Sequence, residues 1–326
     1  MSFKRLDPED FLISAESIIS PAWSDNAPFI LTIYPSTAQA DGPSGDYYRN
    51  AYNLPSTDPS AETQFAIAYG DFKGSGSAPY NTNVPGLSPS RTVYGQFVNL
   101  LLGEDENASF NFGGPAVNNE YFYAIVINRA RYKQAIKPGS IQIRGLISNV
   151  YITDNSNIAT VVDYTPAGRR YPLGSGSFGN GIMPPLSTNG VYGYLYPDVG
   201  VIILNPSTLN VTTTRSPGTD ANNPTNLFNA INGDPFYLQS EETVTSDFIF
   251  CRARNAEFNY SINPSFSVSA SAGTILYNDF IQNPTTYISS VGLYNDNNEL
   301  IAVAKLSKPL KKDFTKEALI RVKLDF

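Results

Sequence analysis

Short apolar runs separated by turn-forming residues follow one another along the 326-residue chain. FAIAY at 65–69, YFYAIVI at 121–127 and VYGYLY at 191–196 have the length of strands rather than of helices. In ALIRVKLDF at 318–326, every second side chain from Ile320 onward is apolar, which is the alternation of a half-buried strand. The pattern therefore predicts a protein built mainly of β-strands.

Three stretches predict paired strands. YISSVGLY and LIAVAKLS flank the five residues NDNNE within 287–307, which predicts a hairpin. VYGYLYPDVGVIILN at 191–205 predicts two short strands joined at Pro197-Asp198, and YITDNSNIATVVDY at 151–164 predicts a hairpin around residues 154–157.

One stretch has helical periodicity. RTVYGQFVNLLLG at 91–103 follows Ser90 as a candidate cap, and Gly103 is a stop signal. The residues expected on its buried face are Val93, Phe97, Leu100 and Leu101. Residues 206–235, which are rich in Asn, Thr and Pro, predict an exposed excursion.

The fold class follows from these elements and from 24 glycines and 24 prolines spread over the chain. We predict a mainly β protein with an antiparallel β-sandwich or barrel-like core, long loops, few short helices and an extended N-terminal arm. Residues 1–60 form the arm and a loop. Residues 61–326 form the β-rich core, and a loop-rich insertion around 165–245 is a candidate for a second, small β subdomain.

Composition limits the chemistry. The chain has no histidine, and Cys251 is its single cysteine, so imidazole-based catalysis and zinc binding are not expected. We predict no cofactor, no metal and no catalytic residue. Carboxylate chemistry is the one route left, but no spacing singles out a pair among the acidic residues in aromatic-rich stretches, Asp46, Asp71, Asp198 and Glu257.

Hydropathy and charge bear on location and partners. The longest apolar run is too short to span a bilayer, and MSFKRLDPEDF lacks the apolar core of a signal peptide, so we expect neither a membrane protein nor a secreted one. The net charge is −7, yet residues 305–326 hold seven basic and three acidic side chains, a local balance of +4. An acidic body argues against nucleic-acid binding. The lysines either dock an acidic partner or protect an exposed edge strand.

Aromatic and basic residues supply the candidate contacts with other proteins. The arm carries Trp23 and Phe29, and the tyrosine-bearing stretches carry Tyr47, Tyr48, Tyr52, Tyr80, Tyr192, Tyr194 and Tyr196. The basic candidates are Lys308, Lys311 and Lys312. Each aromatic residue has a second interpretation, because packing inside the chain's own β-sheets also selects Trp, Phe and Tyr.

Several segments resemble one group of proteins. EFNYSINPSF (257–266), NPTTYISSVGLYNDNNELIAVAKL (283–306), KDFTKEALIRVKLDF (312–326) and MSFKRLDPEDFLISAESIISPAWS (1–24) look like segments of virion structural proteins from contractile-tailed phages, especially those that infect marine cyanobacteria. YGQFVNLLLGEDE and YPDVGVIILN are similar more loosely. The phrase VGLYN…NELIAVAKL also resembles a hairpin of tail-fibre and baseplate-attachment proteins.

The resemblance implies a non-enzymatic building block of the phage particle, in the tail, baseplate or neck. Its partners would be other virion structural proteins and copies of itself, in a particle assembled in the host cytoplasm. Three alternatives stay open: a receptor- or glycan-binding protein at the tail tip, a capsid decoration protein, and a carboxylate-based glycanase. Tyrosines stacking on sugars would serve the first of them.

Overall fold

A computed structural model gives the fold of most of the chain. It describes residues 4–35, 47–81, 83–104, 108–113, 120–147, 150–177, 181–182, 191–209, 215–219, 222–260 and 279–325.

The predicted fold class is confirmed: 43% of the protein is strand and 14% is helix, and the sheets are antiparallel. The strands are β1 (Phe11–Pro21), β2 (Phe29–Ile30), β3 (Tyr34–Pro35), β4 (Tyr48–Tyr52), β5 (Thr63–Asp71), β6 (Tyr121–Ile127), β7 (Ala135–Ile136), β8 (Gln142–Ile143), β9 (Tyr151–Asp154), β10 (Asp163–Thr165), β11 (Gly168–Ser177), β12 (Gly181–Ile182), β13 (Gly193–Tyr196), β14 (Val201–Leu204), β15 (Phe236–Tyr237), β16 (Gln239–Ala253), β17 (Thr286–Tyr294), β18 (Leu300–Lys312) and β19 (Ala318–Asp325). The helices are α1 (Pro89–Leu102), α2 (Asn223–Ile231) and α3 (Asp279–Gln282), and the 3₁₀ turns are Pro8–Asp10, Ser24–Asn26, Pro85–Leu87 and Arg129–Arg131.

The chain forms two compact units. Unit 1 consists of residues 1–16 together with 243–326, and unit 2 consists of residues 17–242. These ranges differ from the predicted division after residue 60, because unit 1 joins strands that are far apart in sequence. A sequence read in order gives no sign of such long-range pairing.

Unit 2 contains a curled half-barrel of 11 strands. Its strand order is β2-β15-β8-β9-β11-β13-β14-β6-β5-β4-β3. Both faces of β6 are buried, with Tyr123 and Ile125 in one hydrophobic cluster and Phe122 and Ala124 in another. This explains the unbroken apolar run YFYAIVI, since a strand covered on both faces has no polar side.

The two helices of unit 2 belong to these two clusters. Phe97 of α1 packs edge-on against Phe122, with ring centroids 6.0 Å apart. Leu227, Phe228 and Ile231 of α2 belong to the cluster on the other face of β6. The expected exposed excursion over 206–235 is therefore wrong for 223–231. Pro224 lies in the first turn of α2, where its missing N–H costs nothing, and the apolar face then follows at helical spacing.

The boundaries and buried face of α1 also differ from the prediction. Its N-cap is Ser88, and Ser90 lies within the first turn. Leu100 is 48% exposed, whereas Tyr94 and Val98 are buried with Phe97 and Leu101. The predicted stop is correct, since Gly103 follows the last helical residue with a φ of +100°.

Strand pairing confirms two of the three predicted hairpins. β13 pairs with β14, so that Tyr196 lies opposite Val201, and β17 pairs with β18. The predicted hairpin within 151–164 is wrong: β9 pairs with β8 and β11, and β10 pairs with β11 alone. The register is decided by β11, a later strand that the local pattern cannot reveal.

Unit 1 contains the described parts of two sheets. One has the order β1-β16-β19, and β19 pairs antiparallel with β16 from Ala318 opposite Ala253 to Asp325 opposite Ser246. Side chains of β19 alternate between exposed and covered, as the sequence predicts for 318–325, while Phe326 lies outside the described residues. The other sheet is the two-stranded ribbon of β17 and β18.

Candidate interaction surface

The predicted contact residues fall into three groups by exposure. The exposed ones are Phe29, Tyr48, Lys308 and Lys311. The half-buried ones are Tyr47, Tyr52, Tyr80, Tyr192 and Tyr194. The buried ones are Trp23, Tyr196 and Lys312.

Trp23 lies in the core of unit 2. It is 3% exposed, its Nε1 donates a 2.8 Å hydrogen bond to the carbonyl oxygen of Phe236, and its ring meets that of Phe236 edge-on at 5.0 Å. A third ring, that of Phe65, lies 6.0 Å away. The prediction of Trp23 as an anchor on a neighbouring subunit is therefore corrected, and the alternative of packing in the chain's own core holds. The physical reason is that the indole finds both its hydrogen-bond acceptor and its aromatic neighbours inside the unit.

Tyr194 and Tyr196 also serve the unit's own sheet. The hydroxyl of Tyr194 donates to the carbonyl oxygen of Asn111, and the guanidinium of Arg170 lies 4.7 Å from the centre of its ring. Tyr196 is fully buried, and burial raises the pKa of its phenol. Tyr196 is thus not a surface contact, since β13 is paired on both sides and turns this side chain inward.

Lys312 is the third correction. It is fully buried, and its Nζ donates to the carbonyl oxygens of Asn255 and Asp313 at 3.1 and 3.0 Å and to Oδ1 of Asn259 at 2.8 Å. Three acceptors match the three N–H donors of the ammonium group. Lys312 therefore organises unit 1 internally, whereas Lys308 and Lys311 point to solvent.

The acidic residues considered for carboxylate chemistry have separate structural partners. Asp71 is buried, accepts the backbone N–H groups of Lys73 and Ser75, and has a pKa raised by burial. Glu257 pairs with Lys4 at 3.0 Å. Asp46 lies outside the described residues.

Asp198 belongs to an ion-pair cluster. Arg169 donates to it from Nη2 at 2.7 Å and from its backbone N–H at 2.8 Å, and the same Nη2 donates to Glu241 at 3.0 Å. Burial opposes ionisation of Asp198, but these hydrogen bonds and the arginine charge outweigh it and lower its pKa. Such a carboxylate is a poor proton donor at neutral pH, which suits a structural role.

The described residues offer few sites that could bind a small ligand or a metal ion. A cavity of about 330 Å³ is lined by Asp25, Asn53, Leu54, Pro59, Ser60, Ala61 and Glu62. Glu62 is held there by Ser24 at 2.6 Å and Arg131 at 2.8 Å. Within the described residues there is no group of three acidic or cysteine side chains placed to hold a metal ion, and no helix has the length and apolar character needed to cross a membrane.

Unit 1 has an unusual distribution of apolar side chains. Its described residues bury Ile249, Ala253, Ala318 and Val322. The large apolar side chains that they expose are Phe11, Leu12, Ile13, Tyr260, Ile281, Tyr287, Tyr294, Leu300, Ile301, Val303, Leu310, Phe314 and Leu319. Single exposed apolar residues are ordinary, but so many in a unit that buries few make unit 1 a candidate for contacts with other proteins.

The ribbon of β17 and β18 carries much of this surface. On one face, Val303 lies opposite Gly292 and is 61% exposed. Ile301, at the irregularity in register next to Leu293 and Tyr294, is 67% exposed. The ring of Tyr294 lies over Gly292, where an added Cβ would be 3.0 Å from it. On the other face, Leu293 lies opposite Ala302 and both are only half-buried. A two-stranded ribbon with apolar residues on both faces is marginally stable unless something covers it.

Sequence reasoning did not single out these residues. The alternation in LIAVAKLS predicted the strand correctly, but it does not tell which face is covered. The sequence does contain one indication of this surface, because residues 301–304 of β18 have no polar face. Ile301 and Val303, and likewise Ala302 and Ala304, are all apolar.

Comparisons of the chain with protein-family models, with curated proteins and with solved structures found no match.

Proposed function

We propose that this protein is a non-enzymatic structural component of a contractile-tailed phage virion, in the tail, baseplate or neck, and that protein–protein contacts hold it there. The observation that carries the proposal is the exposed apolar surface of unit 1. The segments that resemble virion proteins include the 3₁₀ turn Pro8–Asp10 with β1, the ribbon of β17 and β18, and β19. The resemblance and the exposed apolar side chains therefore involve the same part of the chain.

The energetics favour a role in assembly. Each large apolar side chain that leaves water contributes about 1.5–3 kcal/mol, so covering only a few of them suffices for a stable interface. A standard interface buries about 800 Å² on each partner, so a stable contact would cover several of these side chains together.

The test is whether the chain is present in purified phage particles. Mass spectrometry of particles from phage carrying this gene is expected to detect it in stoichiometric amounts, and a density map is expected to show neighbours against Ile301 and Val303. Replacing both residues by Ser should reduce incorporation about tenfold, as the loss of a contact centre does. Both side chains are exposed in the isolated chain, so the fold should survive.

Val161→Ser is the matched control, because Val161 is 80% exposed but belongs to unit 2. It should be incorporated as the wild type is. Absence of the chain from purified particles would overturn the proposal, and so would turnover of a substrate by the isolated protein.

A further inference from the structure

One edge of the first sheet of unit 1 is acidic and apolar. Residues 6–21 contain Asp7, Glu9, Asp10 and Glu16 and no lysine or arginine. Phe11, Leu12 and Ile13, at the start of β1, are 49%, 54% and 72% exposed. Because neighbouring residues of a strand point to opposite faces, both faces of this segment are uncovered. We call residues 7–16 the acidic edge.

The acidic edge has an unused hydrogen-bonding side. β1 is the end strand of the order β1-β16-β19, and among the described residues no strand pairs with its outer side. A strand edge with exposed apolar side chains is a template for a strand from another chain.

The ribbon of β17 and β18 has the opposite charge. β18 contains Lys305, Lys308, Lys311 and Lys312 and no acidic residue. The first three are exposed. The acidic residues of the ribbon, Asp296 and Glu299, lie in its turn. Each ribbon strand pairs only with the other in the described parts, so the ribbon also has free edges. We call residues 286–312 the basic ribbon.

Charge distinguishes between the two open edges of the sheet. β19, the strand at its other end, carries Arg321 and Lys323 against Asp325. A basic ribbon approaching β19 meets like charges, which disfavours that contact, whereas approach to the acidic edge brings opposite charges together. Apolar side chains are available on both sides of the favoured contact.

We propose that copies of this chain associate head to tail, with the basic ribbon of one copy docked along the acidic edge of the next. This inference rests on the proposed function as a structural subunit and names its partner. The two contact surfaces are different parts of one chain, so the association is heterologous and closes into a ring or continues as a filament. Glu9 lies in the 3₁₀ turn that precedes β1, and Glu16 lies in β1. Lys305 and Lys311 lie opposite Ser290 and Tyr287 of β17, on either side of an irregularity in the register of the ribbon, so the ribbon presents basic side chains at two separate points.

The experiment is a charge swap. Glu9→Lys with Glu16→Lys, and separately Lys305→Glu with Lys311→Glu, should each raise the dissociation constant for self-association about tenfold or more at low salt, as measured by sedimentation equilibrium. The chain carrying all four substitutions restores the charge pairing and should associate as the wild type does. An equimolar mixture of the two double variants should also form mixed oligomers.

The control has the same change in charge as the ribbon variant. Lys316→Glu with Arg321→Glu alters exposed basic residues outside the ribbon and is expected to leave association unchanged. Far-ultraviolet circular dichroism of each variant checks the fold. The proposal is overturned if the wild type stays monomeric at about 1 mM, if the control weakens association as much as the ribbon variant, or if the fourfold variant fails to recover.

The outcomes separate this inference from the proposed function. A chain that is monomeric in solution and in the particle but present in purified virions refutes head-to-tail association and leaves the structural role standing. A chain that self-associates through these surfaces but is missing from virions refutes the structural role and supports the association.

Discussion

The placement of Trp23 gives the most direct test of the core of unit 2. Replacing it with Ala removes a 3%-exposed indole packed against two phenylalanine rings. Large-to-small changes of this kind cost about 3–5 kcal/mol. The carbonyl oxygen of Phe236 also loses its donor, which adds about 1–3 kcal/mol because that oxygen stays buried. We therefore expect Trp23→Ala to lower the free energy of unfolding by about 5 kcal/mol, a large part of the stability of an ordinary domain.

Trp23→Phe separates the two contributions. It keeps an aromatic ring near Phe65 and Phe236 and removes the Nε1 donor, so the expected loss is about 2–3 kcal/mol. Urea unfolding followed by far-ultraviolet circular dichroism measures both variants, since neither retains a tryptophan. In the wild type, fluorescence reports on Trp23 alone and should be blue-shifted and resist quenching by acrylamide in the isolated chain.

The opposite result has a clear meaning. If Trp23→Ala costs less than about 1 kcal/mol and the fluorescence of the isolated chain is quenched freely, the indole is not in the core. Trp23 would then be available as an anchor for a neighbouring subunit.

Other substitutions test the fold at single sites. Asp198→Asn should lower the free energy of unfolding by about 1–3 kcal/mol at pH 7. Because the pKa of Asp198 is lowered in the folded state, this difference from the wild type should persist above the unfolded-state pKa of about 3.9. In urea titrations it should vanish as the pH falls through the folded-state pKa. Gly145→Ala should cost more than about 2 kcal/mol, since φ is +89° and the new Cβ would collide with the carbonyl oxygen of Ala230. Gly95→Ala, at an open site in α1, should instead stabilise the protein by about 0.5–1 kcal/mol and raise its thermal midpoint. If Gly145→Ala and Gly95→Ala had equal effects on stability, the backbone conformation described for these two residues would be wrong. Leu227→Ala should cost about 2–5 kcal/mol in thermal unfolding, and a loss near zero would mean that α2 is not part of the core.

The β class of the fold could be predicted from strands whose own residues indicate that they are buried. YFYAIVI predicted β6 without any neighbour, because an unbroken apolar run of seven residues has the length of a strand covered on both faces. β16 was harder. Its first half, QSEETVTS, is polar and carries no apolar alternation, although the strand begins at Gln239. Pairing with distant strands, and not side-chain composition, sets that boundary.

The predicted contacts show a second limit of sequence. Composition selects Trp, Tyr and Lys for surfaces, yet Trp23, Tyr196 and Lys312 are buried. Partners from distant parts of the chain satisfy the polar atoms of Trp23 and Lys312. Ile301 and Val303 read as ordinary strand residues and are exposed. Which side chains are covered depends on the order of the strands in the sheets, and this order cannot be predicted from a single sequence.

Unit 1 draws on both ends of the described sequence, and this has a consequence for synthesis. When residues 1–16 leave the ribosome, the strands β16 and β19 that complete their sheet have not yet been made. Translation of residues 17–242 occupies on the order of 10–50 s at 5–20 residues per second. During that interval the nascent chain can complete unit 2, while the segment that begins β1 waits with its apolar side chains in water. Chaperone binding to the emerging polypeptide is therefore expected to centre on this early segment and to end once residues 243–325 are released.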